Sequence, residues 1–233
     1  GRAVDSYLEH IASRGYSKAT IQSTRYLLVT FYRLSGLSAS EPLVNVTRSV
    51  AERVMRGAKS KYSPSTAWHY GVHIVRLFRV FATSGLLLEN PFGFIGRPAK
   101  PRLLSRPALT REEMKKLLAA PRVSTPGGLR SRAILELMYS TGIRLGECAA
   151  LETRDLDLGR GTLAVRGGKG AKDRVVPMGD EAIRWVRRYL AEVRPRYAGE
   201  TSAPWVGQSG RRIAAIWIQT TIRRLGRKAG ITK

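Results

Sequence analysis

Arg144 and Glu147 stand three residues apart in Thr141-Gly142-Ile143-Arg144-Leu145-Gly146-Glu147, and Lys169 follows farther on in Gly167-Gly168-Lys169-Gly170-Ala171-Lys172-Asp173-Arg174. These residue types suit the chemistry of an anionic phosphoryl centre. A planar guanidinium presents parallel donors to two oxygens at once, and its charge is permanent. It can therefore stabilise the negative charge that builds on non-bridging oxygens when a phosphodiester is displaced, without proton bookkeeping. A carboxylate three positions along a helix lies on the same face and can hold that guanidinium. A lysine whose pKa is lowered by neighbouring cations can give up a proton near neutral pH.

Each residue also has a plainer reading. Arg144 and Glu147 could be only a local ion pair, and Lys169 only a solvated hairpin lysine. Composition adds weight to the phosphate reading. The chain of 233 residues carries 41 Lys and Arg against 17 Asp and Glu, a formal net charge of +24. The excess is spread, with nets of +7 over residues 1–96, +4 over 97–107 and +13 over 108–233. A disordered basic arm would concentrate that charge, so folded surfaces must carry it. The natural partner is a polyanion, nucleic acid ahead of an anionic membrane surface. Cys148 is the sole cysteine, which excludes an intrachain disulfide and a Cys-based zinc site and fits a cytoplasmic setting. No apolar run reaches the roughly 18 residues that a membrane span needs, because Arg76 and Arg79 interrupt the best stretch, Gly71 to Leu88.

The elements that must position these residues can be traced along the chain. Ala3 to Ser13 places Val4, Tyr7, Leu8 and Ile11 on one helical face. Ser17 caps a second helix to about Leu34, residues 47–58 form a weaker third, and Ser63-Pro64 opens a fourth that runs to about Thr83. Residues 97–107 hold three prolines and four positive charges and read as a basic linker. Thr110-Arg111-Glu112-Glu113 is a capping box that starts a second domain near Ala108. There, helices are expected over Arg130 to Thr141 and Arg144 to Leu151, and a β-hairpin over 161–166 and 173–178 with the glycine-rich basic tip between its strands. Asp180 to Val193 and Ile213 to Lys228 return to helical spacing. The expected fold is mostly α, with a small β-sheet or hairpin in the second domain.

Thr-Gly-x-Arg-x-x-Glu, with Leu151, Asp155 and Asp157 behind it, resembles the first arginine box of the tyrosine recombinases, the family of phage integrases and Xer-type recombinases. The Leu-Thr-x-x-Glu opening at Leu109 to Glu113, the Gly-Lys-Gly-x-Lys-x-Arg hairpin, and Gly85-Leu86-Leu87-Leu88-Glu89-Asn90-Pro91 resemble it too. Each motif alone is weak to moderate. Their combination, in family order and spacing over nearly the whole chain, is strong.

The resemblance implies a C-shaped, two-domain DNA clamp. A SAM-like helical core-binding domain would occupy residues 1–96 and a catalytic domain 108–233. It implies that Arg144 binds the scissile phosphate, that Glu147 supports it, and that Lys169 protonates the leaving 5′ oxygen, with Lys172 as a fallback. A tyrosine nucleophile would form a 3′-phosphotyrosyl link, and strand exchange would pass through a Holliday junction within a homotetramer. No cofactor or metal is required, because the covalent link stores the bond energy.

The candidate DNA contacts in the helical domain are Lys18, Arg25, Lys61, His69, Arg76 and Arg79. In the second domain they are Lys172, Arg174, Arg211, Arg212, Arg223 and Arg224. Any one of them could be a solubilising surface charge. His69 and His73 have a spacing able to bind metal, but no third ligand lies nearby in sequence and no Glu follows His69. A DNA-facing surface shared with Arg76 suits them better, and no metal is assigned.

The sequence departs from the family pattern after Ala229-Gly230-Ile231, where a His-x-x-Arg box and later the tyrosine would follow. The nine tyrosines all precede that point. The chain as given is therefore expected to bind DNA as a monomer without cleaving it, in a nucleoid-associated, cytoplasmic setting. Two other readings stand beside this one. A type IB topoisomerase would relax supercoils with similar residues, although the compact helical domain speaks against it. A non-catalytic DNA-binding regulator would need no nucleophile. The target site, and the choice between chromosome dimer resolution and mobile-element integration, are not written in these residues.

Overall fold

Serine and threonine caps set the helix starts of the first half. In the computed structural model, which describes residues 2–38, 40–95, 107–167 and 173–232, Ser17 accepts from the Thr20 amide at the start of α2 (Lys18–Ser35). Thr47 does the same for α3 (Arg48–Lys61) through Val50, and Ser63 for α4 (Pro64–Thr83) through Thr66. Each oxygen satisfies an amide that the helix leaves without an internal partner. The first helix, α1, covers Arg2–Ser13. α2 ends at Gly36, whose φ of 73° is the left-handed conformation that glycine adopts without a Cβ penalty. α3 runs through Lys61, three residues beyond the expected end, with the Tyr62 amide closing its last turn on the Ala58 carbonyl; Val50, Ala51, Val54, Met55 and Ala58 form its core-facing side.

The chain divides into two compact units, Gly1–Ser105 and Arg106–Lys233. The first packs around aromatic rings. Phe78 lies 5.2 Å from Phe31 and 4.8 Å from Phe92 between ring centroids, and all three are fully buried. The loop after α4 is fixed by Asn90. Its amide donates to the Val75 carbonyl, and its own oxygen accepts from the Phe92 amide.

The second unit opens with the Thr110–Glu113 capping box, which starts α5 (Arg111–Ala119). α6 (Pro126–Thr141) begins a turn before the expected Arg130, since Thr125 caps it and Pro126 occupies its first position. Gly128 is dictated by packing, as a Cβ there would overlap the Arg122 carbonyl oxygen. α7 (Leu145–Ala150) follows, then an antiparallel sheet in the order β1 (Leu156–Asp157), β2 (Thr162–Val165), β3 (Arg174–Pro177). The expected hairpin is present as β2 and β3, with Val165 opposite Arg174. The two-residue β1 was too short to leave a periodic signal. α8 (Asp180–Glu192) and α9 (Ala215–Lys228) complete the unit. Its core joins Leu129, Leu137, Ile143, Cys148, Leu163, Val186 and Trp205.

Candidate active site

Three local features place Arg144. Gly142, at φ 62°, ends α6 in the left-handed conformation, with its amide on the Met138 carbonyl. Ile143 then turns into the core at 3% exposure. Arg144 follows as the N-cap of α7, in extended conformation, with its side chain 61% exposed. One buried residue thus anchors the turn, and the next is presented to solvent.

Glu147, in the first turn of α7, sits under that arginine and is only 9% exposed at its side chain. Its Oε2 accepts from the Arg144 amide at 2.8 Å, and its Oε1 accepts from Arg144 Nη1 at 2.9 Å. Arg174, at the start of β3, donates from Nη1 to Oε1 at 3.0 Å and from Nη2 to Oε2 at 2.7 Å. These contacts hold the Glu147 carboxyl down at about 2, with the Arg174 bonds the largest cause, although burial opposes them. Glu147 is thus a fixed anion and not a proton donor or acceptor at neutral pH.

The hairpin base has a second tether. Arg166 donates from Nε to Asp155 at 2.7 Å, and Asp155, at 4% exposure, also accepts from the Glu152 amide. The Gly167 amide donates to Asp173 Oδ1 at 2.8 Å across the two strand ends. Arg166 escaped the sequence reading. Its only signal was its place directly before the glycine-rich tip, and a pairing across eleven residues leaves no periodic trace. Lys169 and Lys172 lie outside the described residues, as do residues 97–106 of the basic linker.

The remaining basic residues fall into two groups. Lys18 and Arg25 are exposed seven residues apart on one face of α2, and Lys61 is exposed at the end of α3. His69, His73, Arg76 and Arg79 are exposed along α4, with no third metal-ligating side chain beside the histidines among the described residues. Arg223 and Arg224 are exposed on α9, and Arg211 precedes that helix. Arg212 differs from these. Its guanidinium donates to the Ala149 and Leu151 carbonyls at 3.1 and 2.6 Å and to Glu152, so it closes the C-terminal end of α7. Arg174 is likewise spent on Glu147.

The arrangement can hold a tetrahedral anion at one exposed guanidinium, stiffened from below by a carboxylate that is itself doubly bonded. Comparison with known proteins gives this geometry a context. Residues 107–233 match the Phage integrase family. The tyrosine recombinase XerC 2 of Ralstonia nicotianae is 35% identical over 240 residues, spanning all of this chain and 69% of that protein. The tyrosine recombinase XerD of Xanthomonas axonopodis pv. citri is 34% identical over 197 residues, spanning 84% of this chain and 64% of that protein. This chain thus spans about two thirds of those relatives. Among solved structures, a lambda integrase (75–356) dimer bound to a COC′ core site aligns at a TM-score of 0.74 with 19% identity, over 99% of this chain and 81% of that one. At that identity the likeness concerns the fold.

Proposed function

The chain belongs to the phage integrase family of tyrosine recombinases, and from that membership we propose that it forms the DNA-holding and phosphate-orienting part of a site-specific recombinase. The observation that carries the reading is the exposed Arg144 guanidinium fixed over the largely shielded Glu147 carboxylate. Arg144 binds the non-bridging oxygens of the scissile phosphate and stabilises the charge that develops there. Lys169, which falls between β2 and β3 in sequence, delivers a proton to the departing 5′ oxygen. The exposed cations of α2, α4 and α9 contact backbone phosphates and set register. The nucleophile in this scheme is a tyrosine, whose attack yields a 3′-phosphotyrosyl link and a free 5′ hydroxyl. None of the nine tyrosines in residues 1–233 is assigned that task. The natural ligand is a double-stranded recombination site, on which four copies assemble for strand exchange. Residues 1–233 alone bind as a monomer.

The experiment is binding of a fluorescein-labelled duplex by residues 1–233 across a salt series, followed by denaturing electrophoresis. Affinity should fall steeply with salt, by a slope of about 0.9 per phosphate neutralised, and no denaturant-stable adduct should form. A flat salt dependence removes the DNA-binding assignment. A stable adduct removes the assignment of the nucleophile to a residue other than these nine tyrosines.

A further inference from the structure

Glu147 serves two arginines unequally. Arg174 places both of its terminal nitrogens on the carboxylate, whereas Arg144 places only Nη1 there. Nε and Nη2 of Arg144 have no hydrogen-bond partner among the described residues, and that side chain is 61% exposed against 36% for Arg174. A carboxylate with only one arginine beside it draws that guanidinium into a two-bonded, fork-to-fork pair. Such a pair would turn the free edge of Arg144 inward. It would also leave the site with no net charge to offer a phosphate. With Arg174 in place, both carboxylate oxygens are already occupied, and the three side chains together carry one net positive charge.

We propose that Arg174 is a positioning residue for Arg144: by occupying Glu147 it keeps the outer guanidinium edge of Arg144 free for the phosphate, and it does not itself bind DNA. The inference rests on the reading of Arg144 as a phosphate ligand. It assigns Arg174 a role different from the phosphate contact expected of a basic hairpin residue. The Glu147 carboxyl, held low chiefly by Arg174, agrees with a carboxylate whose charge is met mainly by that partner.

The test uses residues 1–233 and a fluorescein-labelled duplex, reading the slope of log affinity against log salt. Arg144→Gln should lower the slope by about 0.9, one phosphate. Arg174→Gln should lower it by the same amount, because Arg144 then folds onto Glu147. Two double variants decide the matter. Arg144→Gln with Arg174→Gln should lose no more than either alone, since both act at one phosphate. Glu147→Gln with Arg174→Gln should regain the wild-type slope, because nothing then draws Arg144 inward. Additive loss in the first double variant, or no recovery in the second, overturns the proposal. The second double variant also lacks the Glu147 charge that loses its two-bonded partner in Arg174→Gln, so a folding defect from that loss does not affect it and its slope is decisive by itself. A wild-type slope in Arg144→Gln overturns the phosphate role of Arg144 and this inference with it.

Discussion

Nη2 of Arg174 lies 2.7 Å from Oε2 of Glu147, joining the first residue of β3 to the third residue of α7. The bond crosses twenty-seven positions of sequence and ties the edge of the sheet to the helix that presents Arg144.

One prediction concerns acid stability. Glu147 has its carboxyl lowered from 4.5 to about 2, first by Arg174. A depressed carboxyl stabilises the fold above its unfolded value and loses that contribution as pH falls through the folded value. The Tm difference between the wild type and Glu147→Gln should therefore hold above about pH 4.5 and shrink toward pH 2. Circular dichroism melts across that window check it. A difference that stays constant down to pH 2 would count against the ion-pair account.

Arg144 should prove irreplaceable even by lysine. In a cleavage-competent protein containing these residues, Arg144→Gln is expected to slow covalent adduct formation by at least about 100-fold. Arg144→Lys should restore little, because an ammonium cannot form two parallel bonds to the phosphate. Single-turnover kinetics on a nicked duplex give the comparison. Near-wild-type rates for the lysine variant would show that charge alone suffices.

Arg212 should matter for stability and not for DNA. It donates to two backbone carbonyls at the end of α7 and to Glu152. Arg212→Ala strands the two carbonyls of the buried Ala149 and Leu151, at a cost of about 1–3 kcal/mol, while leaving the salt slope of binding at the wild-type value. Urea denaturation and the binding assay measure the two effects separately. An unchanged midpoint with a shallower slope would return Arg212 to the DNA surface.

Cys148 should be silent in the folded state. It has no exposure, and burial pushes its thiol up to about 12, outweighing the opposing effect of the Trp205 indole. A buried acid held in its neutral form stabilises the fold fully below its unfolded value and loses that contribution as pH rises through the folded one. The alkaline fall in stability between about pH 9 and 12 should therefore be smaller in Cys148→Ala. At neutral pH, a chromogenic disulfide reagent should label the wild type only as fast as the protein unfolds. Rapid labelling in native buffer would show that the residue is reachable.

Most of the elements could be read directly from the chain because their causes are local. Ser17, Ser63 and Thr110 each satisfy an amide three residues away, so the helix starts are written in adjacent residues. Gly142 likewise marks the end of α6 through its own backbone freedom. The early start of α6 also has a local cause, Thr125 and Pro126, whereas other elements depend on distant contacts. α3 is a weak helix by local pattern, and Val50, Ala51, Val54, Met55 and Ala58 pack it into a core built with other helices. β1 exists because Leu156 and Asp157 find partners in Leu163 and Thr162.

The candidate site divides in the same way. The sequence alone determined that an arginine and a glutamate share one turn, that a glycine-rich basic tip follows, and that the whole carries a charge suited to a polyanion. Their bond is short in sequence, so the spacing of a helix turn is enough to foresee it. Only the tertiary structure decided what each cation is free to do. Arg174 and Arg212 look like any other surface arginines in sequence, yet one is committed to Glu147 and the other to the end of α7. Arg144 keeps an open edge because another guanidinium has already filled the carboxylate beneath it. That difference is a competition for acceptors brought together from remote parts of the chain, and no local pattern records its outcome.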